Sequence, residues 1–310
     1  MTITVMPLAE DLPFGARIGG VTLDNSKDAD VREQINDVFT TRGMIIFEGT
    51  EPTNAMQVAL SEVFGPLEDH ALDVPMADDE VRGMTDFDYQ DIFEVNGQKV
   101  SGWIPWHFDA CYAEKLNRGG ILRAIVISPE GGMTGFADGI QLYNAIDPGL
   151  RECFEDLNVI YHSYLMFTNL KFGRPATYSG IKVRQMITDL IEATKDAPRS
   201  VHPAIWRRET GEKVLHVSPW QAAGIEGMET QEGDALLAAL IAEMEAKMVS
   251  YFHVWKPTDM AIWDNWRFVH AASGNPPQFP RRMQRTTIKG DYGLGRLEVA
   301  GSAAPIGIDV

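Results

Sequence analysis

The sequence predicts a mainly β architecture with flanking helices, of the sandwich or jelly-roll kind. Short apolar runs of strand length recur through the later two thirds of the chain, separated by turn signals. No GxGxxG or GxxxxGKS/T segment is present, so a doubly wound nucleotide-binding sheet has no support. Hydrophobic residues make up 45% and charged residues 23% of the chain, the composition of a packed globular protein rather than a disordered acidic one.

The elements follow in order. Short strands are predicted over 3–5 and 16–22, and a polar helix over about 28–41, where Val31, Ile35, Val38 and Phe39 recur at helical spacing. Met44, Ile45, Ile46 and Phe47 form a buried strand, and a helix over about 53–64 has Thr53 as its N-cap. Between Gly65 and Trp106 the pattern breaks down into an acidic, turn-rich stretch; a loop of that length inside a compact domain is functional or mobile. Strands are then predicted over 120–127, 134–137, 159–167, 202–207, 213–217, 249–254, Met260–Trp263, 268–271 and 284–289. Helices are predicted at about 140–145, 184–195 and 233–247, the last with Leu236, Leu237, Leu240, Ile241 and Met244 on one face. Without repeats or low-complexity segments, the 310 residues read as one domain, 1–310, with an active-site lid at about 66–102.

A formal charge of −17 disfavours nucleic acid and anionic membrane surfaces as partners. Two cysteines, Cys111 and Cys153, are too few for a disulfide framework and fit a reducing compartment. With no secretory signal and no long apolar stretch, the expectation is a cytoplasmic protein.

Of seven histidines, one stands in an HxD arrangement, His107-Phe108-Asp109. On an extended strand these two side chains would share a face, and one further histidine would complete a 2-His-1-carboxylate set suited to non-haem Fe(II). Downstream, Met260–Trp263 leads through Asp264-Asn265 to His270, and Arg281 and Arg285 follow in the next strand. Alternation would put Arg281, Met283 and Arg285 on one face, and paired guanidinium groups beside a metal suit a dicarboxylate. The acidic run 86–91 fails the calcium-loop pattern at its glycine and glutamate positions.

These residues resemble the TauD/TfdA family of Fe(II)- and 2-oxoglutarate-dependent dioxygenases, nearly end to end. The matching segments are GARIGGVTL, RGMIIFEG, FGPLEDH, WHFD, GGMTGFADG, VHPAIWRRETGEKVLHVSP, WKPTDMAIWDNW and RRMQRTTIKGD. The resemblance implies a double-stranded β-helix (jelly roll, cupin-like) with helical flanks. It implies iron ligation by His107, Asp109 and His270, and cosubstrate binding by Thr134, Arg281 and Arg285, the last also able to meet an anionic substrate. The reaction implied is hydroxylation by O2 of a small, partly apolar organic acid, with 2-oxoglutarate decarboxylated to succinate and CO2. Oxidative cleavage of an ether or sulfate ester is the variant that follows when the attacked carbon bears oxygen. A non-catalytic binding protein on the same fold is the remoter alternative, and the intact ligand set weighs against it. Family habit also makes a homo-oligomer the default.

Departures from the family pattern bear on the substrate. Trp103 stands where taurine dioxygenases have an asparagine, Asp73 where they have a tyrosine, and Trp266 where WDNR is more usual. His70 matches a histidine that meets the substrate anion in some members. An aromatic pocket is expected from Tyr89, Phe93, Trp103, Tyr112, Phe167 and Trp220, and taurine is disfavoured because Trp103 offers mainly apolar area. From Asn265 to Gly290 there is no acid, while Arg267, Arg281, Arg282, Arg285 and Lys289 supply five positive charges. One basic strand in an acidic protein is therefore expected to mark the cosubstrate pocket.

Overall fold

The computed structural model describes residues 3–69, 83–88, 90–291 and 294–298. Two sheets face each other across a common core. The larger has seven strands among the described residues, in the spatial order Thr4–Pro7, Ala16–Gly19, Met44–Glu48, Met260–Trp263, Gly119–Val126, Arg282–Ile288 and Met84–Asp88. The smaller orders Tyr178–Lys182, Ile92–Val95, Gln98–His107, Phe268–Asn275, Thr134–Asp138 and Ser250–His253. Pairing is antiparallel except between Ala16–Gly19 and Met44–Glu48. Leu122, Ala261, Trp263 and Met283 from the larger sheet meet Phe136 and Phe268 from the smaller, filling the sandwich. This is the jelly roll that the run of short strands predicts.

Helices cover both outer flanks. Ala29–Arg42 and Asn54–Ser61 lay Ile35, Phe39, Met56 and Leu60 on the larger sheet. Thr53 Oγ1 accepts from the Met56 N–H at 3.2 Å, capping the second helix as its sequence indicates. The long helix Gln231–Lys247 buries Leu237, Leu240, Ile241 and Met244 in a second core, shared with Phe108, Tyr161 and Trp206. Helix Gly139–Ala145 begins at Asp138, whose carboxylate accepts from the Ile140 N–H at 3.0 Å.

The structure differs from the sequence reading in four places. The stretch read as a broken loop carries the strands Met84–Asp88, Ile92–Val95 and Gln98–His107. Its acids hide a strand pattern because they pair with distant arginines: Arg282 Nε donates to Asp86 at 2.9 Å, and Arg184 Nε to Asp91 at 2.9 Å. The strand predicted over 202–207 divides into Ser200–Pro203 and Ile205–Arg207, which join different sheets on either side of Ala204. The strand predicted over 159–167 stops at Tyr161, where the chain turns; Tyr178–Lys182 and Ala222–Ile225 are strands that the apolar pattern missed. His70, Asp73 and Tyr89 lie outside the described residues.

Candidate active site

The site begins with a register. Gln98–His107 pairs antiparallel with Phe268–Asn275 so that His107 stands directly opposite His270. Cross-strand neighbours on one face are close by construction, and the two imidazole centroids are 4.0 Å apart. Asp109 arrives differently from the strand alternation expected for it. The strand ends at His107, Phe108 turns away to stack on His216 at 3.9 Å, and Asp109 sits in a turn whose next residue, Ala110, has φ +58°. Asn265 fixes that turn. Its Oδ1 accepts from the Asp109 N–H at 2.8 Å, and its Nδ2 donates to the Asp109 carbonyl at 3.1 Å and the Asn117 carbonyl at 3.2 Å. The sequence reading treated Asn265 as part of a turn and missed this clamp; a buried asparagine between two apolar strands was the available signal.

Asp109 Oδ1 lies 3.9 Å from His107 Nε2 and 3.7 Å from His270 Nε2. Among the described residues these three form a buried group whose ligand atoms all lie within 4.8 Å of one another. His107 Nδ1 lies 2.8 Å from the Pro105 carbonyl, so this nitrogen carries the proton and Nε2 keeps its lone pair toward the gap. The His270 ring is held by packing against Trp263 at 4.5 Å. Burial pushes both imidazoles toward the neutral, metal-binding form. Burial alone would raise the Asp109 carboxyl, but Arg285 overrides it: Nη1 donates to Asp109 Oδ2 at 2.6 Å and holds the group well below the usual carboxylate range. Two neutral imidazole nitrogens and one ionised carboxylate oxygen on one side, with the cavity on the other, are the donor set that suits Fe(II).

The triad opens into a cavity of about 670 Å³. Thr134, Arg281 and Arg285 line one part of it, so the structure brings together the residues expected to hold the cosubstrate. Arg281 Nε donates to the Gly132 carbonyl at 2.8 Å and Nη2 to Thr134 Oγ1 at 3.4 Å. Gly132 makes this approach possible: φ is +66°, and a Cβ there would lie 2.9 Å from Arg281 Cδ. The apolar wall is formed by Tyr112, Met166, Phe167, Ile187, Leu190 and Trp220. Helix Gln185–Thr194 borders the opening, and its start is tied down where Asp91 accepts from the backbone N–H of Arg184 at 2.7 Å and from its guanidinium.

Several site expectations change. Trp103 packs on Tyr178 at 5.2 Å and lines a separate crevice of about 240 Å³, because Trp103 points away from the triad cavity. Phe93 is buried in the same cluster rather than in the cavity wall. Tyr112, Phe167 and Trp220 do line the cavity; His70 lies outside the described residues. The basic strand is less open than its composition suggests. Arg267 forms a buried pair with Asp138 at 2.8 and 2.6 Å, and Arg282 faces outward onto Asp86, which leaves Arg281 and Arg285 at the cavity. Cys111 is fully buried, its Sγ 3.2 Å from Gln221 Oε1, and burial pushes its thiol far up, away from the reactive thiolate.

Comparison with known proteins agrees with this geometry. Residues 4–287 match the family described as taurine catabolism dioxygenase TauD, TfdA family. An (S)-phenoxypropionate/alpha-ketoglutarate-dioxygenase of Sphingobium herbicidovorans is 29% identical over 286 residues, covering 91% of this chain and 93% of its own. Among solved structures, a taurine dioxygenase from Burkholderia xenovorans superposes with a TM-score of 0.71 at 23% identity, covering 97% of this chain and 96% of its own. AAD-2, solved with Mn(II) and N-oxalylglycine, gives a TM-score of 0.69 at 22% identity, over 94% of this chain and 99% of its own. No helix among the described residues is long and apolar enough to cross a membrane. The chain belongs to the TauD/TfdA family and is an oxidoreductase of the 2-oxoglutarate-dependent, non-haem iron dioxygenase class.

Proposed function

We propose that this enzyme hydroxylates a small, partly apolar organic acid, using O2 and decarboxylating 2-oxoglutarate to succinate and CO2. The observation that carries the reading is the join between a compact His107–Asp109–His270 face and a mainly apolar cavity with two arginines at its base. In this reading the three side chains hold Fe(II), which when bound supplies the centre where cosubstrate and O2 are activated for attack on a substrate C–H bond. Arg281 and Thr134 bind the distal carboxylate of 2-oxoglutarate, the arginine as a charge-assisted donor. Arg285 keeps Asp109 ionised and oriented; its buried Nε has no hydrogen-bond partner among the described residues, which supports a second role toward a bound anion. Phe167, Trp220 and Tyr112 exclude water and pack the substrate body. Phe87, Asp88 and Asp91 line the cavity, which supports the stretch at about 66–102 as its cover; the described part of that stretch carries the strands Met84–Asp88 and Ile92–Val95.

A second outcome, oxidative ether or ester cleavage, gains support from the phenoxypropionate-named relative. Hydroxylation of a carbon already bonded to oxygen gives a product that collapses to a carbonyl compound and an alcohol or phenol from an ether, or sulfate from a sulfate ester. An anaerobic titration of the Fe(II)–2-oxoglutarate complex with carboxylic acids, sulfonates and sulfate esters tests the substrate class. A band shift specific to partly apolar carboxylic acids is expected, and a shift with taurine alone would contradict the reading. Product analysis then separates a stable alcohol from a cleaved pair. Two free cysteines, Cys111 and Cys153, support a cytoplasmic setting, and light scattering tests the expected homo-oligomer.

A further inference from the structure

We propose that Trp255 is a positioning residue for the cosubstrate: its indole N–H fixes the Thr134 hydroxyl as a donor aimed into the cavity, toward a carboxylate held by Arg281. The proposal rests on Thr134 and Arg281 forming the carboxylate site. A threonine hydroxyl offers one proton and two acceptor directions. Trp255 Nε1 donates to Thr134 Oγ1 at 3.1 Å, and Arg281 Nη2 donates to the same oxygen at 3.4 Å. Both acceptor directions are thus engaged, and no acceptor for the Thr134 O–H lies among the described residues. Thr134 lines the cavity, so its proton is directed there.

The indole is itself fixed by the fold. Ser250–His253 pairs with Thr134–Asp138 in a register that puts His253 opposite Thr134, and two residues later Trp255 folds back over the same threonine. Its ring meets His253 edge-on at 4.7 Å and is buried in the core between the sheets. His253 in turn lies 3.2 Å from buried Asp259. The hydroxyl rotor is therefore set before any ligand arrives, and an oriented donor binds more tightly than one that must give up rotational freedom on binding.

The test titrates 2-oxoglutarate anaerobically into the Mn(II)-loaded protein by calorimetry, alongside steady-state kinetics, for wild type, Trp255→Phe, Thr134→Val and the double variant. Trp255→Phe is expected to weaken 2-oxoglutarate binding about three- to tenfold, with Mn(II) affinity and kcat within about twofold of wild type. The double variant is expected to bind no more weakly than Thr134→Val alone. Site-specific replacement of Trp255 by benzothienylalanine keeps the ring shape without the N–H, and supplies the same readout should the phenylalanine variant fold poorly. Wild-type affinity in the N–H-deleted proteins, or additive losses in the double variant, would overturn the proposal. Unchanged affinity in Thr134→Val would instead overturn the carboxylate site, and the proposal with it.

Discussion

Asn265→Ala should damage metal binding more than its loss of stability explains. The side chain is fully buried and makes hydrogen bonds of 2.8 and 3.1 Å to the Asp109 backbone and of 3.2 Å to the Asn117 carbonyl. Alanine deletes all of them and leaves an N–H and two carbonyls buried without their partner. At about 1–3 kcal/mol for each group left unsatisfied, less what relaxation recovers, the cost is about 3 kcal/mol or more. For a chain of this size that is a Tm drop of roughly 5–10 °C. The same deletion frees the turn that presents Asp109, and loss of a group that orients a ligand typically weakens metal binding by about 10- to 100-fold. The control is Ile35→Ala, buried between a flanking helix and the larger sheet, which should cost about 2–5 kcal/mol with Mn(II) affinity unchanged. Thermal melts and Mn(II) calorimetry on both variants decide the matter. If Asn265→Ala bound Mn(II) as tightly as Ile35→Ala does, the clamp would have no role at the metal.

Three further outcomes follow. Arg267→Met strands Asp138 as an unpaired buried carboxylate and should cost about 3–5 kcal/mol in urea unfolding; a loss under 1 kcal/mol would show the pair to be dispensable. Burial holds His202 down to about 4 and His216 to about 3, so both are neutral when folded, while the unfolded chain takes up protons near 6.5. Stability should be fully present above pH 6.5 and fall as pH drops toward 4, by about 1.4 kcal/mol per pH unit per histidine; a flat Tm from pH 6.5 to 4.5 would refute this. Phe167→Ala should raise the substrate KM several-fold while Trp103→Leu changes it little, because only Phe167 borders the cavity; equal effects in steady-state assays would contradict that assignment.

What the sequence disclosed depended on how local the signal was. Met260–Trp263 and Gly119–Val126 were readable because both are apolar runs bounded by turns. Met84–Asp88 and Ile92–Val95 were not, since the acids around them are answered by Arg282 and Arg184, at separations of 196 and 93 residues. The His107–Asp109–His270 group could be picked out from HxD and the matching segments, yet the way Asp109 reaches it could not. It depends on Asn265 and Arg285, which meet it only after the strands pair. The basic strand shows the same limit. Its charges were countable, but their partners Asp138, Asp86 and Asp109 come from elsewhere in the chain.

His107, Asp109 and His270 are proposed as the iron face on which 2-oxoglutarate and O2 react. Succinate release from 2-oxoglutarate with Fe(II) and O2, compared between wild type and His107→Ala, tests it most directly. The wild type should form succinate, and the variant, still folded by circular dichroism, should lose that activity by at least about 100-fold. A folded His107→Ala protein that released succinate at the wild-type rate would contradict it.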